Sequence, residues 1–355
     1  MKLTSNTSQE TPEKAPDTRQ AMGNWQLWIG VAFSLGFLFL ALRDVDLTET
    51  ANALSRVNLP IFGAAAASYM LTVAAKAIRW RLLFTGRKTP SFDRALSALS
   101  IGIMVNAFLP ARLGEVTRAY LMGEAESESK VYALGTVAVE KVTDLLFLLF
   151  ALILLLSQMT LPEWLAGPAR GTALTLAVLV PCLLLLAWQR DFVLRIVERA
   201  SRFVPSTWQE WLVRQAHYGL DSLNVMRHPR LLIGLFGWSL IIWILSAFTN
   251  YLVFLALELA VPIWTSLLLL VVLHIGTSVP SSPGRIGVFQ YLVILTLSIV
   301  AVDKNVALGY SVVLYLAIYA PMVLTGCYYL WREKITWQKL EEAAAMLNRL
   351  GRRTR

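Results

Sequence analysis

Apolar residues in this chain come in long blocks, separated by short polar stretches that hold most of the charge. A helix rising 1.5 Å per residue needs roughly 20 apolar residues to cross the hydrocarbon of a bilayer. Six blocks meet or approach that length: 25–42, 59–84, 131–156, 171–188, 231–257 and 306–330. Two others are too short. Block 95–109 runs into LPARLGEVTR, and block 266–279 runs into PSSPGRIG before a further apolar stretch at 286–302. Proline and glycine at those breaks end a helix and permit a tight turn. The pattern predicts an all-α polytopic membrane protein: about six spanning helices, with the two short blocks folded as re-entrant hairpins.

Composition agrees with that class. The chain is 56% hydrophobic and 15% charged, with a mean hydropathy of +0.57, where soluble domains carry about 25% charged residues. Its formal charge of +9 does not point to nucleic acid, because the basic residues sit in clusters between apolar blocks. Those clusters choose the threading. If block 95–109 crossed fully, the Arg-rich segment 189–230 would lie outside, against the positive-inside rule. With hairpins entering from opposite faces, 25 Lys and Arg fall on the cytosolic side and 5 outside, leaving Lys76 and Lys141 within helices. Both termini are then cytosolic, and the expected location is the inner membrane of a bacterial cell. Residues 1–24 read as a disordered cytosolic tail, 25–331 as the membrane domain and 332–355 as a basic amphipathic tail. Trp25, Trp28, Trp80, Trp188 and Trp331 are expected in the cytosolic interfacial belt, with Arg79 and Arg81 snorkelling beside them. Within 189–230, Phe192, Ile196 and Phe203 alternate with Arg195, Arg199 and Arg202, the pattern of helices lying on anionic headgroups.

The order of blocks repeats. Segments 25–156 and 171–330 each run helix, interfacial stretch, helix, short hairpin with a proline loop, helix. The threading turns the second unit upside down relative to the first. Inverted repeats with matching interrupted helices are the architecture of many secondary transporters, whose binding site lies at the midplane.

Candidate chemistry concentrates at the interruptions. In P-A-R-L-G-E-V-T-R (110–118), Arg112, Glu115 and Arg118 recur every third residue and share a helix face. Two guanidiniums against one carboxylate suit a phosphate bound bidentately; structurally read, the same trio is an ion cluster that caps the hairpin. Glu140 and Asp144, four residues apart near the middle of block 131–156, are either an ion or proton relay or the counter-charges of the arginine pair. In the second hairpin, Ser282, Pro283, Gly284, Arg285 and Gly287 form a small-residue turn at a half-helix start, an anion cradle or a plain outer turn. His274 reads as a packing residue. Cys182 and Cys327 lie inside apolar blocks, and the three histidines lack ligand spacing, so neither a metal nor a cofactor is implied. Enzyme signatures such as H-E-x-x-H, G-x-S-x-G or a P-loop do not occur, so no catalytic residue is assigned and the chain is not expected to be an enzyme.

With these motifs in hand, the chain resembles the flippase-like integral membrane family, named for the transmembrane region of lysylphosphatidylglycerol synthases. The resemblance rests on R-W-R-L-L (79–83), N-A-F-L-P-A-R-L-G-E-V-T-R (106–118), E-K-V-T-D (140–144) and P-S-S-P-G-R-I-G-V-F-Q (280–290). The last element departs from the family pattern P-x-P-G-G-x-G-x-x-E: Arg285 stands for a glycine and Gln290 for the glutamate. The resemblance implies translocation of an anionic phospholipid or polyprenyl-phosphate-linked lipid between leaflets. It also implies a stand-alone member, without the aminoacyltransferase or glycosyltransferase domain that some relatives carry. The alternative is a non-transporting anchor for a lipid-modifying enzyme; a homodimer or such an enzyme is the expected protein partner.

Overall fold

A computed structural model describes residues 24–43, 45–84, 89–108, 113–160, 162–203, 205–276, 283–336, 339–340 and 342. The tail 1–23, the hairpin segments 109–112 and 277–282, and most of the tail 332–355 lie outside the described residues. The architecture is all-α: α1 (Asn24–Leu42), α2 (Leu47–Ser55), α3 (Leu59–Leu82), α4 (Phe92–Phe108), α5 (Leu113–Ala125), α6 (Lys130–Leu156), α7 (Glu163–Trp188), α8 (Arg190–Ser201), α9 (Ser206–Asp221), α10 (Pro229–Ala256), α11 (Trp264–Gly276), α12 (Val288–Ser298) and α13 (Lys304–Arg332). No strand occurs among the described residues. Each of the six long blocks has become a helix, and α3, α7, α10 and α13 are long and apolar enough to cross a membrane. α7 starts eight residues before the apolar block it contains, with Pro162 as its N-cap. Apolar side chains cover the outside: Leu174, Ile233 and Leu324 are 69%, 73% and 70% exposed. In a membrane protein that surface faces lipid rather than water.

Local chemistry sets the helix starts. The Asn58 side chain accepts from the Ile61 N–H at α3, Ser129 from Tyr132 at α6, and Asp303 from Asn305 and Val306 at α13. Asp46 caps α2, and the Thr48 N–H, 2.7 Å from its Oδ1, holds that carboxyl below the ordinary Asp range.

α3 and α10 make the most extensive helix pair and run antiparallel. The Asn58 N–H reaches the Ala256 carbonyl at one end; Ser68 and Thr249 bond at 2.9 Å in the middle; Arg79 reaches Ser239 near the other end. α3 carries seven alanines and a serine, and such small residues let two backbones approach where lipid gives no hydrophobic drive.

Both short pairs fold back on themselves. α4 lies along α5, and Arg94 at the start of α4 bonds Glu126 just past the end of α5. Asp93 bonds Arg332 at the C-terminal end of α13, so this hairpin enters and leaves at one end of the bundle. α11 lies along α12, which leads through a five-residue link into the opposite end of α13. That end also holds α2, where Asn305 bonds Glu49 at 2.5 Å. The hairpins therefore come from opposite ends, and α4 touches the turn Pro283–Arg285 of the other.

The first hairpin closes on two glycines. A Cβ on Gly102 would lie 2.6 Å from the Gly114 carbonyl oxygen, and one on Gly114 would overlap the Gly102 carbonyl and press on Asn106 Oδ1 at 2.7 Å. Asn106 Oδ1 also accepts from the Gly114 N–H at 2.8 Å, joining the helices across their break. Gly114→Ala is expected to cost about 1–3 kcal/mol by forcing the helices apart, read as lower thermal stability in detergent. Gly63→Ala, where a Cβ meets nothing within 4 Å, is the control and should leave stability unchanged; equal behaviour of the two would contradict the packing.

Candidate functional site

The acidic residues of α6 sit four apart, so one helix face presents both Glu140 and Asp144 to α3. Both meet Arg79. This arginine was expected at the headgroups, yet it is fully buried. Its Nη1 lies 2.6 Å from Asp144 Oδ1 and 3.0 Å from Ser239 Oγ of α10, and its Nη2 lies 3.3 Å from Glu140 Oε1. Glu140 is shared. Arg118 of α5 grips it bidentately, with Nη1 at 3.1 Å from Oε2 and Nη2 at 3.2 Å from Oε1. The Arg118 guanidinium also stands 5.0 Å from the Trp80 ring centroid, a cation–π distance. Trp80 itself is fully buried, with its indole N–H on Thr136 at 3.0 Å. It is a packing residue under the arginine, not an interfacial anchor. The last turn of α3 escapes the interface because α4, α5 and α6 cover it. Removing Arg79 from the cytosolic tally leaves the charge bias of the threading intact.

This arrangement revises the predicted role of the first hairpin. Glu115 and Arg118 do share a face toward α6, but Glu140 takes the Nη1–Nη2 fork of Arg118 that was expected to hold a phosphate. Glu115 pairs with Lys141 at 2.6 Å. Arg112 and Ser282 lie outside the described residues.

Beside the network lies a cavity of about 490 Å³. Both hairpins reach it: α4 contributes Asn106 and Ala107, α11 contributes Leu273 and His274, and Arg285 and Phe289 come from the second turn and α12. Lys76, Tyr69, Ser246 and Tyr319 add polar groups from α3, α10 and α13, and Glu115, Lys141 and Asp144 enter from the network side. The predicted residues Glu115, Asp144 and Arg285 thus share one cavity, while Glu140 and Arg118 stand behind its wall. Sequence reasoning gave Lys76 no role, although a lone lysine in the middle of an apolar block is itself a signal. His274 lies against Trp243 with ring centroids 5.1 Å apart and the rings tilted by 34°, in keeping with its packing role.

The second turn differs in detail from an open anion cradle. Gly284 and Gly287 have φ of 74° and 89°, a region that glycine enters without strain. The Gly287 N–H already donates to Gln290 Oε1 at 2.7 Å, and a Cβ there would run into the Ser34 carbonyl of α1. Gly287 is therefore a close-packing pivot, and its N–H is not open to a ligand. Gln290, which departs from the family pattern, closes the helix start. The Gly284 carbonyl accepts from Tyr315 at 3.0 Å, which fixes the turn, and Pro283 opens its short 3-10 segment.

Comparison with known proteins places these features. The sequence profile described as "Lysylphosphatidylglycerol synthase TM region" matches residues 27–326. A protein named UPF0104 membrane protein, from Methanocaldococcus jannaschii, is 25% identical over 227 residues, which is 63% of this chain and 92% of the relative. No solved structure matches the chain.

Removing one member of a buried ion cluster strands the others, at about 3–5 kcal/mol. Arg79→Met is expected to lower stability in detergent by that amount, and Arg79→Met with Asp144→Asn to recover part of it. Wild-type stability in the single variant would show that the network does not hold α3 to α6.

Proposed function

The chain belongs to the family of the lysylphosphatidylglycerol synthase transmembrane region, and from that premise we propose that it moves a lipid with an anionic, phosphate-bearing headgroup between the leaflets of its membrane. A lipid-related membrane role is common ground for the family; translocation is the step argued from the site. The observation that carries it is the meeting of two opposed hairpins at one polar cavity inside a lipid-facing bundle. Non-helical backbone persists at membrane depth only where protein or an aqueous cavity satisfies it, and interrupted helices from two halves meeting at a central site are what alternating access requires.

In this reading the hairpins are re-entrant, the two halves form an inverted repeat, and both termini face the cytosol of a cell with an inner membrane. The headgroup enters the cavity while its tails stay in lipid along the apolar helix faces. Arg79, Glu140, Arg118 and Asp144 act as a positioning frame: they lock α3, α5, α6 and α10 together so that the cavity keeps its shape. No bond is made or broken, so the protein is read as a carrier and not as an enzyme.

Ala107 is small, 7% exposed, and lines the cavity from α4. Ala107→Trp should plug it at a cost of about 1–3 kcal/mol to the moving headgroup, which slows exchange about tenfold or more. The assay is leaflet exchange of labelled phosphatidylglycerol and a polyprenyl phosphate in reconstituted vesicles, with insertion and elution profile checked. Undiminished exchange by a folded plug variant, or no exchange by the unaltered protein beyond protein-free vesicles, would defeat the proposal.

A further inference from the structure

The carboxylates that line the cavity are already partnered. Glu115 holds Lys141 at 2.6 Å, and Asp144 holds Arg79 at 2.6 Å. Two further cations line it, Lys76 and Arg285, and neither has a hydrogen bond or close ion pair with another described residue. Both line the same cavity as His274. Cations at membrane depth are costly without a counter-charge. Around the cavity and its frame, five cations (Lys76, Arg79, Arg118, Lys141 and Arg285) meet three carboxylates (Glu115, Glu140 and Asp144), a surplus of two positive charges.

Arg285 is held at a price in backbone strain. Its φ of 57° is left-handed, a conformation that glycine adopts freely and that disfavours a residue with a Cβ. The Tyr315 hydroxyl clamps the preceding carbonyl, and Tyr69 and Tyr319 line the same cavity. Neither the Tyr69 nor the Tyr319 hydroxyl has a hydrogen-bond partner among the described residues, so both are available as donors beside the guanidinium. Lys76 lines the same cavity from α3. The donor set is two cations with two phenols, and phosphate oxygens are its chemical complement.

We propose that Lys76 and Arg285 are the two prongs of a receptor for a phosphate headgroup with two or more negative charges, a lipid phosphomonoester or diphosphate, in preference to singly charged or zwitterionic phosphodiester lipids. The inference rests on the cavity being the headgroup site and adds the charge of its occupant. A dianion balances both prongs. A phosphodiester leaves one cation unmatched, and a zwitterion would also bring an ammonium beside them, with Glu115 and Asp144 already occupied. The remaining wall, including Leu145, Leu148, Leu270 and Phe289, is apolar, which suits the start of a lipid tail better than a free inorganic anion.

The test is titration of the purified full-length protein in neutral detergent, by calorimetry, with four probes of matched chain length. These are a prenyl monophosphate, a prenyl diphosphate, phosphatidylglycerol and phosphatidylcholine; inorganic diphosphate is a fifth, without a tail. The two prenyl phosphates should bind about tenfold tighter or more than either phosphodiester. Lys76→Met and Arg285→Gln should each remove about tenfold of that affinity and erase the preference, while Arg195→Gln on α8 keeps both. Equal affinity of the unaltered protein for all four lipids would overturn the proposal without reference to any variant. Unchanged preference in both folded variants would overturn it too, and inorganic diphosphate binding as tightly as the prenyl diphosphate would overturn the lipid assignment. Preference without leaflet exchange sinks translocation alone; exchange without preference sinks this inference alone.

Discussion

A guanidinium fully buried among helices must be neutralised where it sits, and the architecture of this protein is arranged round that requirement. Arg79 draws Asp144 and Glu140 from α6 and a hydroxyl from α10. Glu140 then recruits Arg118, which fixes the first hairpin against Trp80. Four helices that lipid alone would not press together are joined by one set of charges. Such a cluster resists piecemeal change, because each member removed leaves another unsatisfied in a low dielectric.

The same rule separates frame from site. Charges that find partners inside the protein hold it together, and those without partners are the ones a ligand can satisfy. Arg118, Glu140 and Arg79 belong to the first group. Lys76 and Arg285, from different halves of the chain, belong to the second, and both face the cavity where the hairpins meet. The proposed translocation needs this division: rigid walls, and a headgroup held by few enough contacts to be released.

Much of the architecture could be read from the chain because hydrophobic length is a strong signal. All six long blocks became helices, and the breaks near Pro110 and Pro283 mark where the two short pairs turn back. Glu140 and Asp144 stood out for the same reason, as charges inside an apolar run. Arg79 and Trp80 did not. At the end of an apolar block the pair looks like an interfacial anchor, and only the packing of α4, α5 and α6 over the last turn of α3 buries it. Partner choice was equally invisible, since spacing puts Arg118 on the right face without saying that Glu140 fills its fork. Gly287 looked like part of a ligand cradle, but its close approach to α1 and the Gln290 cap arise from residues far off in sequence or from a side-chain rotamer.

The central claim is that the cavity opens to each side of the membrane in turn, and the most direct measurement is its accessibility. Ser246 lines it from α10, and the two native cysteines, Cys182 and Cys327, are exposed and replaceable. With both replaced and Ser246→Cys installed, a membrane-impermeant maleimide is applied to sealed vesicles of either orientation. The account predicts labelling from both sides, slowed by an anionic lipid phosphate. Labelling confined to one side under every lipid condition would contradict it.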